Sequence, residues 1–155
     1  MSIETMYAVF WEGPFDWDKK HKFVKRHHFL YQIYGTHPVY GRDVLLYIGS
    51  TSRDMLARLR EHKEWVDDEY DAVQVRFGSI REFRSWTQVD KNKSLTKVTP
   101  SILGHIEALL IYSNQPAYNV RSKSDAALAE NIRIFNYGRL GQVLPEVSHK
   151  YFFGD

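Results

Sequence analysis

The chain has 155 residues and a mass of 18.3 kDa, the size of one domain around one core. Its 43% hydrophobic and 26% charged residues exclude a disordered or collagen-like protein, and the lack of any cysteine excludes disulfide frameworks, Cys-ligated zinc, iron–sulfur clusters and thiol nucleophiles. Lysine plus arginine exceed aspartate plus glutamate by 21 to 19, a net charge of +2 that alone names no partner.

Apolar runs such as Met6 to Trp11, Val44 to Ile48 and Ala108 to Tyr112 reach at most six residues, against the roughly 20 a membrane helix needs. No segment is expected to span a bilayer. The N-terminal stretch carries Glu4, Glu12 and Asp16 and no apolar h-region, so it does not read as a secretory signal, and a cytoplasmic protein is the expectation.

Residues 5 to 11 read as a short strand, followed by the turn residues Gly13 and Pro14. The segment 1–28 reads as an N-terminal extension. Phe29 to Tyr34 and Val44 to Ile48 are β-prone and close enough in sequence for an antiparallel hairpin. Ser50, Thr51 and Ser52 are candidate N-caps, with Asp54 in the first turn of a helix running to about Val66 on an apolar stripe of Met55, Leu56, Leu59 and Val66. Val73, Val75 and Phe77 alternate with Gln74 and Arg76, which predicts a third strand over 71–78.

A polar stretch from Arg81 to Lys97 is partly helical at best. Thr99 and Pro100 read as N-cap and first helical residue of a helix to about Ser113, with Ile102, Ile106, Leu109 and Leu110 inward. Ser124 caps a last helix to about Asn136, ended by Gly138. The order predicts an α/β (α+β) fold, a small, mainly antiparallel three-stranded central sheet flanked by helices. The whole of 1–155 then forms one domain, with 122–155 as a C-terminal helix and tail.

Charge is clustered rather than spread. Lys19, Lys20, Lys22, Lys25 and Arg26 form an acid-free run, Lys91, Lys93 and Lys97 lie in the polar stretch, and Arg121 and Lys123 come after the long helix. Interleaved with aromatics, which make up 15% of the chain, such groups suit nucleic-acid contacts, and equally a solvated basic face.

Six side chains stand out for chemistry. Tyr34 and Tyr47 lie on the two hairpin strands, which brings both phenols to one face, as catalysts or as two packed aromatics. Gly49 permits close approach of backbone or substrate, or simply a turn. Arg58 and His62, four apart, offer a guanidinium fork and a titratable imidazole on one helical face, or a solvated surface. Glu107 falls among Leu103, Leu110 and Ile111, inside the apolar stripe. An unpartnered carboxylate there is costly, so a divalent cation, Arg58 or a backbone donor must meet it. Asn119 either holds its own loop or orients a site. The remaining histidines, His21, His27, His28, His37, His105 and His149, show no HExxH spacing, which argues against a histidine-based zinc site.

In order, Gln32-Ile33-Tyr34, Tyr47-Ile48-Gly49-Ser50-Thr51, Arg58, His62, Glu107 and Asn119 resemble the GIY-YIG nuclease family over residues 29–120, with Gln32 where the family has glycine. The resemblance implies a metal-dependent endonuclease hydrolysing DNA phosphodiester bonds, of restriction or of phage and mobile-element type. It implies Mg²⁺, with Mn²⁺ as a substitute, held by Glu107 to stabilise the leaving 3′ oxygen, and Tyr34 as general base. Arg58 would hold the scissile phosphate, Tyr47 and His62 would position the nucleophile or assist its proton transfer, and Asn119 would brace the site. DNA would be gripped by Lys19, Lys20, Lys22, Lys25, Arg26, Gly49, Lys91, Lys93, Arg121 and Lys123, with a homodimer as one route to cutting both strands. The competing reading is a non-catalytic nucleic-acid-binding module on the same scaffold, and a third is a structural domain that touches no DNA.

Overall fold

A computed structural model describes residues 3–89, 98–124 and 131–154. Its frame is a six-stranded mixed sheet in the order β3-β2-β4-β1-β5-β6, with β1 at Thr5–Asp16, β2 at Leu30–His37, β3 at Gly41–Ser50, β4 at Gln74–Glu82, β5 at Ile132–Gly138 and β6 at Glu146–Ser148. All neighbours are antiparallel except β1 and β5, which run parallel. The α+β class is as expected, and the three-stranded sheet is not.

The expected hairpin forms, but β1 is an interior strand rather than part of an extension. It pairs with β4 over eight positions and with β5 over seven. Its odd-numbered residues explain why: Val9 and Trp11 are fully buried, and the Trp11 indole N–H donates to Asn136 Oδ1 at 2.9 Å, tying the two ends of the chain together. The segment expected as the last helix is strand β5 from Ile132 onward, with Ile132, Ile134 and Asn136 buried on one face. That period of two is the signature of a strand.

The α-helices pack on both faces. Helix α4 (Pro100–Asn114) starts as the sequence predicts, with Thr99 Oγ1 accepting from the Ile102 N–H at 3.1 Å and Pro100 at its first position. It buries Leu103, Ile106, Leu109, Leu110 and Ile111 against Val9, Trp11, Ile80 and Ile134, each such side chain contributing roughly 1.5–3 kcal/mol.

The opposite face carries a 3₁₀ turn (Trp17–Lys22), α1 (Met55–Arg60) and α2 (Lys63–Asp67), which cover Tyr31, Ile33, Val75 and Phe77 through Trp17, Met55, Leu59 and Val66. The single helix expected from Asp54 to Val66 is therefore two. Asp54 itself is the N-cap, accepting from the Leu56 and Ala57 N–H groups, and the helix tightens where the His62 N–H bonds to Leu59 O at 2.9 Å. Strand β4 runs to Glu82, and the polar stretch opens with α3 (Trp86–Val89). Among the described residues no helix is long and apolar enough to cross a membrane.

Candidate active site

Strand parity decides which tyrosines meet. Ile33 lies opposite Tyr47 in the β2–β3 ladder, and directly opposed residues share a face, so Tyr31, two before Ile33, joins Tyr47. Their ring centroids are 6.1 Å apart. Tyr34 belongs to the other face. Its hydroxyl donates to Gln32 Oε1 and accepts from the Gln142 N–H at 2.8 Å, and the Arg76 guanidinium lies 5.2 Å from its ring. The tyrosine beside Tyr47 is therefore Tyr31, not the expected Tyr34.

Gly49 is explained by the same phenol. A Cβ at Gly49 would collide with Tyr31 Oη, so only glycine lets the Tyr31 side chain cross β3. Gly49 is buried, and the close approach it permits in this structure is that of the Tyr31 side chain.

Arg58 and His62 remain close although they lie on either side of the break between α1 and α2. His62 turns inward: it is 7% exposed, its Nε2 lies 2.6 Å from Tyr31 Oη, and its ring centroid is 4.5 Å from that of Tyr47. Burial, and after it the Arg58 charge, push the His62 pKa down to about 4, so the imidazole is neutral at physiological pH. Burial likewise drives the Tyr31 phenol well above its ordinary value, opposed by Arg58. Arg58 is half-buried and forms an ion pair with Glu61 one turn on.

Glu107 approaches from α4. The Ser50 hydroxyl, at the end of β3, donates to Glu107 Oε2, a partner sequence reasoning did not name. Among the described residues the carboxylate has no ion pair within contact distance. Burial raises its pKa, against the lowering effects of the Ser50 hydrogen bond and the Arg58 and Arg121 charges. Asn119 bonds the backbone of Ile48 from both ends of its amide, accepting from the N–H and donating to the carbonyl, each at 2.9 Å. It thereby caps the outer edge of β3 just before Gly49 and Ser50, which makes it a brace for the strand end.

With Tyr31 and His62 behind Tyr47, the side chains of Tyr47, Arg58, Glu107 and Asn119 share one cleft of about 610 Å³, which Gly104 and Arg121 also line. Its chemistry is that of an anion site with one hard oxygen ligand. Mg²⁺ keeps most of its waters and is commonly held by one or two carboxylates together with substrate phosphate, so a lone, partly desolvated Glu107 opposite two arginines fits a cation shared with a phosphate.

The expected DNA contacts divide. Lys19, Lys22, Lys25 and Arg26 are exposed, with Lys25 paired to Glu12 at 3.3 Å. Lys20 is half-buried, its Nζ 4.1 Å over the Trp17 ring, and it lines a cleft with Arg60 and Lys63, two cations the sequence reading omitted. Arg121 is exposed and Lys123 half-buried. Lys91 and Lys93 lie outside the described residues.

Glu12, His27 and His28 place potential ligand atoms within 4.8 Å of one another, yet the His28 proton is already committed. The Lys25 backbone N–H donates to His28 Nδ1 at 3.0 Å, so the ring proton sits on Nε2 and donates to Glu12 Oε2 at 2.7 Å. A metal on Nε2 would need the proton on Nδ1, facing another N–H, so this cluster is a hydrogen-bonded pair of buried His28 with half-buried Glu12. The chain matches no protein-family model, no curated protein and no solved structure.

Proposed function

We propose that the protein is a metal-dependent endonuclease that hydrolyses phosphodiester bonds in DNA. The observation that carries this reading is the convergence of Tyr47, Arg58, Glu107 and Asn119, from a strand, two helices and a loop, on one cleft, with the Tyr31–His62 pair packed against Tyr47. A binding surface requires cations but has no use for a desolvated carboxylate facing a phosphate.

Phosphodiester hydrolysis needs an in-line nucleophile, charge neutralisation and a stabilised leaving group. Arg58 would exchange Glu61 for the scissile phosphate, a bidentate guanidinium contact. Glu107 would hold Mg²⁺ or Mn²⁺, which supplies neutralisation at the leaving 3′ oxygen. Tyr34 lies on the other face of the sheet, so the phenol that would position the nucleophile or assist its proton transfer is Tyr47, which lines the cleft, held from behind by the buried Tyr31–His62 pair. The single carboxylate points to one metal ion, and a single site hydrolyses one strand at a time. Lys19, Lys20 and Lys22, with Arg60 and Lys63, supply sequence-independent grip on phosphates.

The test is conversion of supercoiled plasmid by purified protein with Mg²⁺ or with chelator, for wild type and Glu107→Gln. Metal-dependent nicking that the substitution abolishes supports the reading. Salt-sensitive DNA binding with no cleavage under Mg²⁺ or Mn²⁺ would overturn it in favour of the binding module.

A further inference from the structure

A chain of donors runs through the site into a residue the mechanism leaves unused. Trp65, on α2, places its indole nitrogen 3.1 Å from His62 Nδ1, and His62 Nε2 lies 2.6 Å from Tyr31 Oη. An indole N–H only donates, so Nδ1 must be the acceptor. A neutral imidazole has one proton, which is then on Nε2 and points at the Tyr31 oxygen.

We propose that Trp65 is a positioning residue that locks His62 in the Nε2–H tautomer and makes it a hydrogen-bond donor to Tyr31. The consequence runs against the simplest reading of a tyrosine–histidine pair, in which the imidazole accepts the phenol proton. Here His62 has no lone pair to offer on that side. The Tyr31 oxygen is thereby an acceptor from His62, and the imidazole is not a base that takes the phenol's proton. His62 holds the Tyr31 oxygen, and with it the packing against Tyr47, without gaining or losing a proton.

The surroundings agree. The groups facing His62 are Tyr31 from β2, Tyr47 from β3, Arg58 and Glu61 from α1 and its end, and Trp65 from α2. Trp65 is itself fixed by an edge contact with Tyr118, centroids 5.4 Å apart at 89°. Arg58 opposes an imidazolium and so favours the neutral ring that the tautomer requires. The catalytic consequence rests on the nuclease reading, whereas the tautomer does not.

The experiment is a side-chain ¹H–¹⁵N correlation spectrum of the full chain at neutral pH, for wild type and Trp65→Phe. The wild-type spectrum needs no variant: a protonated Nε2 and a pyridine-like Nδ1 on His62 are expected, and a protonated Nδ1 would overturn the proposal. In Trp65→Phe the Nδ1–H form is expected to appear, and an unchanged tautomer would overturn the role of Trp65. Trp65→Tyr, a larger ring also lacking an N–H at that place, repeats the comparison if the phenylalanine variant does not fold. In plasmid cleavage, Trp65→Phe is expected to lower kcat by about tenfold or more with KM little changed, and an unchanged kcat alongside a changed tautomer would remove the positioning role. Wild-type protein that cleaves nothing sinks the nuclease reading, while the spectrum still decides the tautomer.

Discussion

Glu107 sits where its charge is expensive, with one hydroxyl from Ser50 as its direct donor among the described residues. Its raised pKa means that the folded state binds a proton more readily than the unfolded chain, so ionisation on raising the pH costs stability. Glu107→Gln keeps the hydrogen bond and removes the charge. It is expected to stabilise the metal-free protein at neutral pH by about 1 kcal/mol while abolishing cleavage, as read by thermal denaturation beside the plasmid assay. The two tyrosines separate in the same manner. Tyr31→Phe removes the acceptor for His62 behind Tyr47 and is expected to lower cleavage by about tenfold or more. Tyr34→Phe leaves cleavage near wild type but strands the Gln142 N–H, which costs about 1–3 kcal/mol in urea denaturation.

At the scale of elements, α4 contains a glycine its own packing does not need. A Cβ on Gly104 would meet nothing within 4 Å, yet a mid-helix glycine costs roughly 0.5–1 kcal/mol against alanine. Gly104 lines the cleft one turn before Glu107, which is the space a phosphate backbone would enter. Gly104→Ala is therefore expected to raise stability by that amount and to lower cleavage by about tenfold or more, measured by melting and single-turnover kinetics. The 3₁₀ turn and α1–α2 make a second element-level surface. Replacing Lys20, Arg60 and Lys63 with glutamine is expected to reduce the slope of log affinity against log salt by about 2 to 3, measured by fluorescence anisotropy on a DNA duplex in chelator.

For the whole molecule, the central position of β1 makes the chain's ends part of its core. A fragment of residues 29–120, the span of the family resemblance, lacks β1, β5 and β6 and exposes the inner edge of β4. Such an edge templates aggregation. The fragment is expected to show no cooperative thermal transition by circular dichroism, in contrast to the full chain, and a folded, active fragment would refute the account of β1.

Much of the local architecture was legible because its signals are local. The β2–β3 hairpin, the Thr99–Pro100 start of α4 and the conflict of Glu107 with its apolar neighbours each reside within one or two turns of chain. The alternation of Ile132, Ile134 and Asn136 was legible too, but Ser124 as a cap and Gly138 as a stop favour a helix over the same residues. Tyr31 was recoverable from parity with Ile33, had the register of the hairpin been known. What the amino-acid sequence determined by itself was therefore the capping, periodicity and cost of individual side chains. Only the tertiary structure decided that β1 is interior, that Tyr31 rather than Tyr34 meets His62, and that Ser50 partners Glu107. These are contacts between residues 31 or more positions apart, whose formation depends on strand register and on which faces close together, and a one-residue change of register reverses every side chain.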